Sequence, residues 1–415
     1  MQISRTIAVL GGGIGGIVAA NELRRLLPKE HRIVVVERDQ YHAFASSFLW
    51  VMAGSRTSPQ VRRPLASLLR SGIEIITAEA TKIDLQQTVV ETDHASIKYD
   101  FLIVALGADL AVDAIPGLRE AAHSFYSLEG ADKLHSALQN CPPGQLSIVV
   151  TSTPYKCPGA PLEGAMLIAD LLSKSGRRGQ VEVAIYTPEP QPMPVAGPAL
   201  GQAAVEMLSS RGIKYHPMHR LVSIDPLVRQ ITFEGKGVVS YCLLVAIPPH
   251  RCPAVITNSG LAGDGGWIPV DRKTLRTKVK NVYAIGDVTS IPLPGRFKPD
   301  APLALPKAGV FAHAQGLVVT HQIIADILGR EANVTFCGDG YCMLEAGEEL
   351  AGFAYGNFFA EPAPDVRLKR IGKAWHLGKV LFERMWLSPP GWRKSAYSKL
   401  IATGAKILNV PAATS

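Results

Sequence analysis

The chain has 415 residues, 47% of them hydrophobic, enough for two to three domains with cores of their own and too apolar for a disordered or fibrous protein. Its formal net charge of +8 is not spread evenly: residues 366–415 hold ten Lys/Arg and one acid, Glu383, so the preceding body carries one net negative charge. Nucleic acid is therefore not an expected partner, and the basic tail is a separate feature.

In chain order, Thr6-Ile7-Ala8-Val9-Leu10 reads as a buried strand starting too early to leave room for a secretory leader, so no cleaved signal is expected. Gly11, Gly13 and Gly16 follow in the pattern G-x-G-x-x-G, then a helix over 17–27 and a second strand, Arg32-Ile33-Val34-Val35-Val36-Glu37. Glu37 stands 21 residues past the last glycine, where an acid binds ribose hydroxyls. Strand, glycine turn, helix, strand and acid in that order predict dinucleotide binding, with the pyrophosphate at the helix N-terminus. Trp50, in Ser46-Ser47-Phe48-Leu49-Trp50, fits either a ring stacked in the site or a packed domain interface.

A further strand ends in Ala105-Leu106-Gly107-Ala108, and Val282-Tyr283-Ala284-Ile285 closes on Gly286-Asp287. Both resemble signatures of flavoproteins with two dinucleotide-binding domains, in which the Gly-Asp aspartate binds the ribityl chain of FAD. The expected fold is thus α/β, with two Rossmann-like dinucleotide-binding domains and a C-terminal amphipathic helical tail. The expected boundaries are 1–115 and 255–335 for a discontinuous FAD-binding domain, 116–254 for the inserted second domain, and 336–415 for a C-terminal region with membrane-associating helices. Strand candidates in the insert lie at 146–150, 181–186 and 240–247, with a helix over 162–173.

The first strand of the insert runs into Thr151-Ser152-Thr153-Pro154-Tyr155-Lys156-Cys157-Pro158-Gly159-Ala160-Pro161-Leu162-Glu163. A loop that cradles NAD(P) needs converging N–H groups, yet this one has a single glycine and three prolines that lack the donor. NAD(P)H is disfavoured, and a thiol takes the ligand position at the strand end. The six cysteines are too few for a secreted disulfide framework, show no Cys-x-x-Cys spacing, and with the histidines form no zinc set, so no metal is expected. Cys141, Cys242 and Cys252 read as small buried hydrophobes.

Together Lys156-Cys157-Pro158-Gly159-Ala160-Pro161-Leu162-Glu163, Ile285-Gly286-Asp287, Leu305-Pro306-Lys307-Ala308-Gly309 and Gly340-Tyr341-Cys342 resemble the sulfide:quinone oxidoreductases and the flavoprotein subunit of flavocytochrome c sulfide dehydrogenase, from Thr6 to about Phe359. That resemblance implies FAD as cofactor and a redox pair, Cys157 and Cys342, that carries sulfur. It also implies a proton-moving role for Glu163 and a positive charge from Lys307 near the flavin. Cys337 is a competing partner for Cys157; Gly340-Tyr341-Cys342 fits the motif better. Where quinone-type members often have another cysteine, this chain reads His123-Ser124-Phe125-Tyr126-Ser127, leaving only a two-cysteine form. A reactive thiolate leads to the expectation of an electropositive, partly exposed cysteine site.

In the tail, Trp375, Leu381, Phe382, Met385 and Trp386 recur at helical spacing with Lys373, Lys379 and Arg384 interleaved. Ser388-Pro389-Pro390-Gly391 breaks the pattern, and Trp392 begins a second basic amphipathic piece. Such helices suit an anionic membrane surface, whereas no stretch of about 18 apolar residues spans one. The expectation is a peripheral membrane enzyme on the cytoplasmic side, oxidising sulfide with quinone. Its expected partners are sulfide, quinone, the membrane surface and, in a homo-oligomer, further copies of the chain. Competing readings are a cytochrome-linked sulfide dehydrogenase flavoprotein, a type II NADH:quinone oxidoreductase, and a non-catalytic flavin-binding sensor tethered to the membrane.

Overall fold

In the computed structural model, which describes residues 4–411, the strand Thr6–Leu10 lies at the centre of a five-stranded parallel sheet. Arg32–Glu37 and then Glu74–Thr77 flank it on one side, Phe101–Val104 and Val282–Ala284 on the other. Because helices cover both faces of such a sheet, its strands are apolar throughout rather than alternating. Ile7, Ala8, Val9 and Leu10 are all fully buried, each large aliphatic side chain contributing about 1.5–3 kcal/mol. Asp100 fastens the start of the sheet by accepting from the Thr6 amide (2.8 Å) and Arg5 Nη1 (2.7 Å).

A second parallel sheet, in the order Lys214–His216, Val181–Tyr186, Gly144–Val150, Leu243–Ile247, lies within the sequence that separates Phe101–Val104 from Val282–Ala284. The helix Ala160–Lys174 leaves the end of its Gly144–Val150 strand and is buried along most of its length, as its apolar composition requires.

The region after residue 336 departs from the sequence reading. Asp339–Gly347, Leu350–Asn357 and Asp365–Gly372 form a three-stranded antiparallel sheet that was not expected, since Asp339–Gly347 is buried over its last four residues without alternation. The helix Lys373–Trp386 is not a free amphipathic tail either. It packs on the Leu350–Asn357 strand and against His42 and Phe44, burying Lys379, Glu383, Met385 and Trp386. Only the last helix, Trp392–Ile407, stays largely outside, with Trp392, Leu400 and Ile407 exposed. Among the described residues no helix is long and apolar enough to cross a membrane.

His42 joins the ends of the chain. Trp386 Nε1 donates to its Nε2 (2.8 Å), and its Nδ1 lies 3.0 Å from the Gly12 carbonyl. Accepting on one nitrogen and donating on the other requires the neutral ring, and burial pushes its pKa down to about 4. An unfolded imidazole protonates near 6.5, so the stabilisation is complete above about 6.5 and is lost as the pH falls toward 4. His42→Phe should therefore flatten the acid limb of the stability curve by about 3 kcal/mol between pH 7 and 4, measured by denaturant unfolding of both proteins.

Candidate active site

A cavity of about 480 Å³ runs from the glycine turn after the first strand to the helix Ala160–Lys174. Ten of the residues singled out from the sequence line it: Gly13, Glu37, Ala105, Gly107, Cys157, Glu163, Gly286, Asp287, Lys307 and Cys342. Gly11 and Gly16 stand behind the wall. A side chain on Gly16 would strike the Gly11 carbonyl at 1.9 Å, so these two bring helix and strand together. A side chain on Gly13 would meet nothing within 4 Å and would fill the cavity instead. Glu37 holds the turn from the next strand, accepting from the Gly12 amide at 2.6 Å.

Cys157 is placed by backbone geometry. Its φ of +54° is left-handed, a conformation that costs a non-glycine residue about 1–3 kcal/mol. Three hydrogen bonds over-determine it: its amide donates to the Lys307 carbonyl (2.7 Å), and its carbonyl accepts from the Ala160 amide (2.9 Å) and the Tyr126 hydroxyl (3.4 Å). Gly159, the only glycine of the turn, serves packing rather than phosphate. A Cβ there would lie 2.5 Å from Leu344 and 3.7 Å from Cys342 Sγ, so its absence lets the Cys342 strand approach. Cys337 is exposed and lines neither this cavity nor the one described next.

Behind the cysteines lies a second cavity of about 620 Å³, bounded by Pro154, Pro188, Met193, Ala196, Leu344 and Phe358. Among the described residues its charged wall residues are Glu189, Arg220 and Lys307. Cys157 and Cys342 border both cavities and so form part of the partition between them.

The electrostatics correct the expectation of an electropositive cysteine site. Burial first, and Glu163 second, push the Cys157 thiol up to about 12 and Cys342 well above the usual thiol range. Lys379 works the other way but is tied up by acids. Its Nζ lies 2.5 Å from Glu163 Oε2 and 4.0 Å from Glu345 Oε1. Burial opposes its charge, and the two carboxylates outweigh that, holding the ammonium above the ordinary lysine range. Removing one partner of such a buried pair costs about 3–5 kcal/mol. Lys379, Glu345 and His376 are site neighbours that sequence reading missed. The sequence reads Lys379 as one of the tail's membrane-facing charges, and only its helical position on the same face as Phe382 and Trp386 could have betrayed it.

Lys307 is pinned as well as buried. Its Nζ donates to the carbonyls of Asp287 (2.5 Å) and Thr289 (3.1 Å) and sits 3.4 Å over the Trp267 ring. Burial draws its pKa down to about 8 against the opposing pull of Asp287. Trp50 is buried, does not line the cavity, and packs under Lys379 and Arg56 and against His376, which decides between its two readings in favour of packing.

A family model described as pyridine nucleotide-disulphide oxidoreductase matches residues 5–316, and the chain belongs to that family of oxidoreductases. Within it, the mitochondrial sulfide:quinone oxidoreductase of Mus musculus is 29% identical over 304 residues, 69% of this chain and 66% of that protein. The sulfide-quinone reductase of Aquifex aeolicus is 28% identical over 399 residues, 93% of this chain and 91% of that one. The X-ray structure of the Aquifex aeolicus sulfide:quinone oxidoreductase superimposes with a TM-score of 0.85 at 25% identity, covering 98% of this chain and 96% of that one.

Because Glu163 is the main charge raising both thiols, Glu163→Gln should speed alkylation of the reduced Cys157–Cys342 pair severalfold at pH 8. Lys379 keeps Glu345 as a partner in this variant. Mass-spectrometric counting of iodoacetamide adducts over time checks the result; unchanged rates would show that burial alone sets the thiols.

Proposed function

We propose that the protein oxidises sulfide through a Cys157–Cys342 redox pair, with FAD as its cofactor and a membrane quinone as electron acceptor. The observation that carries this reading is the partition: two cysteines stand between an apolar cavity on one side and the glycine-turn cavity on the other. Sulfur chemistry and electron delivery then take place on opposite faces of the same two residues.

The first cavity fits FAD. Gly13 leaves room for a pyrophosphate, Glu37 stands at the ribose position, and Gly286-Asp287 and Lys307 border the far end. When bound, FAD supplies a two-electron acceptor between sulfur and quinone. Hydrosulfide attacks the Cys157–Cys342 bond from the second cavity, breaking it to form a persulfide on one cysteine and a thiolate on the other. Glu163, buried beside both sulfurs, takes the persulfide proton. Phe48, Leu49, Phe382 and Trp386 give the first cavity an apolar wall suited to a quinone ring. The helix that carries Phe382 and Trp386 is followed, after a break, by Trp392–Ile407, whose exposed Trp392, Leu400 and Ile407 and basic Arg393, Lys399 and Lys406 suit an anionic bilayer surface.

Anaerobic titration should bleach the flavin with sulfide and not with NADH. In Cys157→Ser, bound FAD should remain but sulfide should no longer bleach it; normal bleaching in that variant would sink the mechanism. Truncation after Pro390 should abolish sedimentation with anionic liposomes while leaving sulfide bleaching intact. A cut at 366 would also remove Lys379 and a strand of the antiparallel sheet.

A further inference from the structure

The buried ion cluster continues past the cysteine site. Glu163 Oε2 meets Lys379 Nζ and also accepts from the Glu345 amide at 3.1 Å. Glu345 in turn places Oε2 2.9 Å from His376 Nδ1. The side chains of Glu163, Lys379 and Glu345 are 3%, 7% and 1% exposed, whereas that of His376 is 25% exposed. Exposure thus rises at one end only. Trp50 covers the run, its ring against both Lys379 and His376.

Charge makes this more than a structural ion pair. Two carboxylates share one lysine, so the cluster holds one uncompensated negative charge unless it takes a proton, and a dry interior penalises that charge. Among the described residues Glu345 Oε1 has no hydrogen-bond partner, with Lys379 4.0 Å away. The other charges nearby are already matched: Arg56 pairs with Glu383 at 3.0 Å, and Ser47 donates to Glu383 at 2.7 Å. Among the described residues Cys157, Cys342 and the Tyr126 hydroxyl are the remaining titratable groups facing Glu163.

We infer that His376 and Glu345 form a proton entry from solvent to Glu163, passing through Lys379. This deepens the sulfide reading and rests on it. With hydrosulfide as donor and quinone (Q) as acceptor the reaction balances as HS⁻ + H⁺ + Q → S⁰ + QH₂. Two electrons pass from sulfur to quinone. Hydrosulfide brings one proton, and the second is drawn from water. A ligand filling the first cavity closes the direct route from that side to Glu163, which lines it. The path through His376 leads away from the cavity. His376 gives its proton to Glu345, Glu345 to the lysine as Lys379 passes its own to Glu163, and Glu163 to the cavity. His376 and Glu345 are relay residues and touch no reacting atom.

The two half-reactions separate this role from a structural one. Flavin bleaching by hydrosulfide needs no proton from water, whereas reoxidation by quinone does. In FAD-loaded His376→Ala, anaerobic bleaching should stay within about twofold of the unsubstituted protein, while reoxidation by a soluble quinone slows by about a hundredfold, the lower end of what a lost proton-transfer group costs. Millimolar imidazole should restore reoxidation. Glu345→Gln should show the same slow step without rescue by imidazole. Reoxidation at the unsubstituted rate in His376→Ala would overturn the inference, as would slowing of both half-reactions alike with no response to imidazole. Failure of sulfide to bleach the unsubstituted protein would instead bring down the functional reading, and the inference with it.

Discussion

The ion pair between Glu163 and Lys379 is the contact on which the site depends. Glu163 lies in the first turn of the helix that follows the cysteine loop, and Lys379 lies on a helix more than 200 residues later. Between them runs the strand with Cys342, whose neighbour Glu345 donates its amide to Glu163. One buried charge thus holds together three elements from different parts of the chain. Neither partner is stable there alone, because an isolated charge in a dry interior costs far more than a matched one. The pair therefore fixes where Cys342 lies relative to Cys157, and it explains how a basic side chain comes to be nearly inaccessible in a helix that its composition marks as a surface element.

Much of the nucleotide half was legible in the sequence, because each of its signals is local. The glycine turn, the apolar strands on either side and Glu37 follow within 32 residues, and a parallel sheet buried on both faces produces unmistakable apolar runs. Three of the four strands of the second sheet, all but the edge strand Lys214–His216, and the helix after Cys157 were readable for the same reason. The antiparallel sheet over 339–372 was not: its first strand lacks alternation and reads as little more than a motif around Cys342. Nor was the burial of the penultimate helix. A stripe of Trp375, Phe382 and Trp386 looks the same whether it faces lipid or protein, and only the partner surface, His42 and Phe44 from the start of the chain, distinguishes the two.

The polarity of the cysteine environment was also beyond the sequence. The need for a reactive thiolate suggests a positive site, yet what decides the thiols is burial together with a carboxylate that local sequence places on the next turn of helix. Lys379 approaches the same carboxylate and is largely neutralised by it. The same burial and carboxylate disfavour a standing thiolate on either cysteine.

The penultimate helix also has a consequence for synthesis on the ribosome. The sheet that lines the glycine-turn cavity is complete once residue 284 is placed, but the wall formed by Lys379, Phe382 and Trp386 arrives about a hundred residues later. A nascent or prematurely ended chain can thus complete its nucleotide sheet while Cys157 still lacks the acid–lysine cluster that governs it. Such a chain would lack both the Glu163–Lys379 pair and the Phe382–Trp386 wall, which arrive only with the penultimate helix.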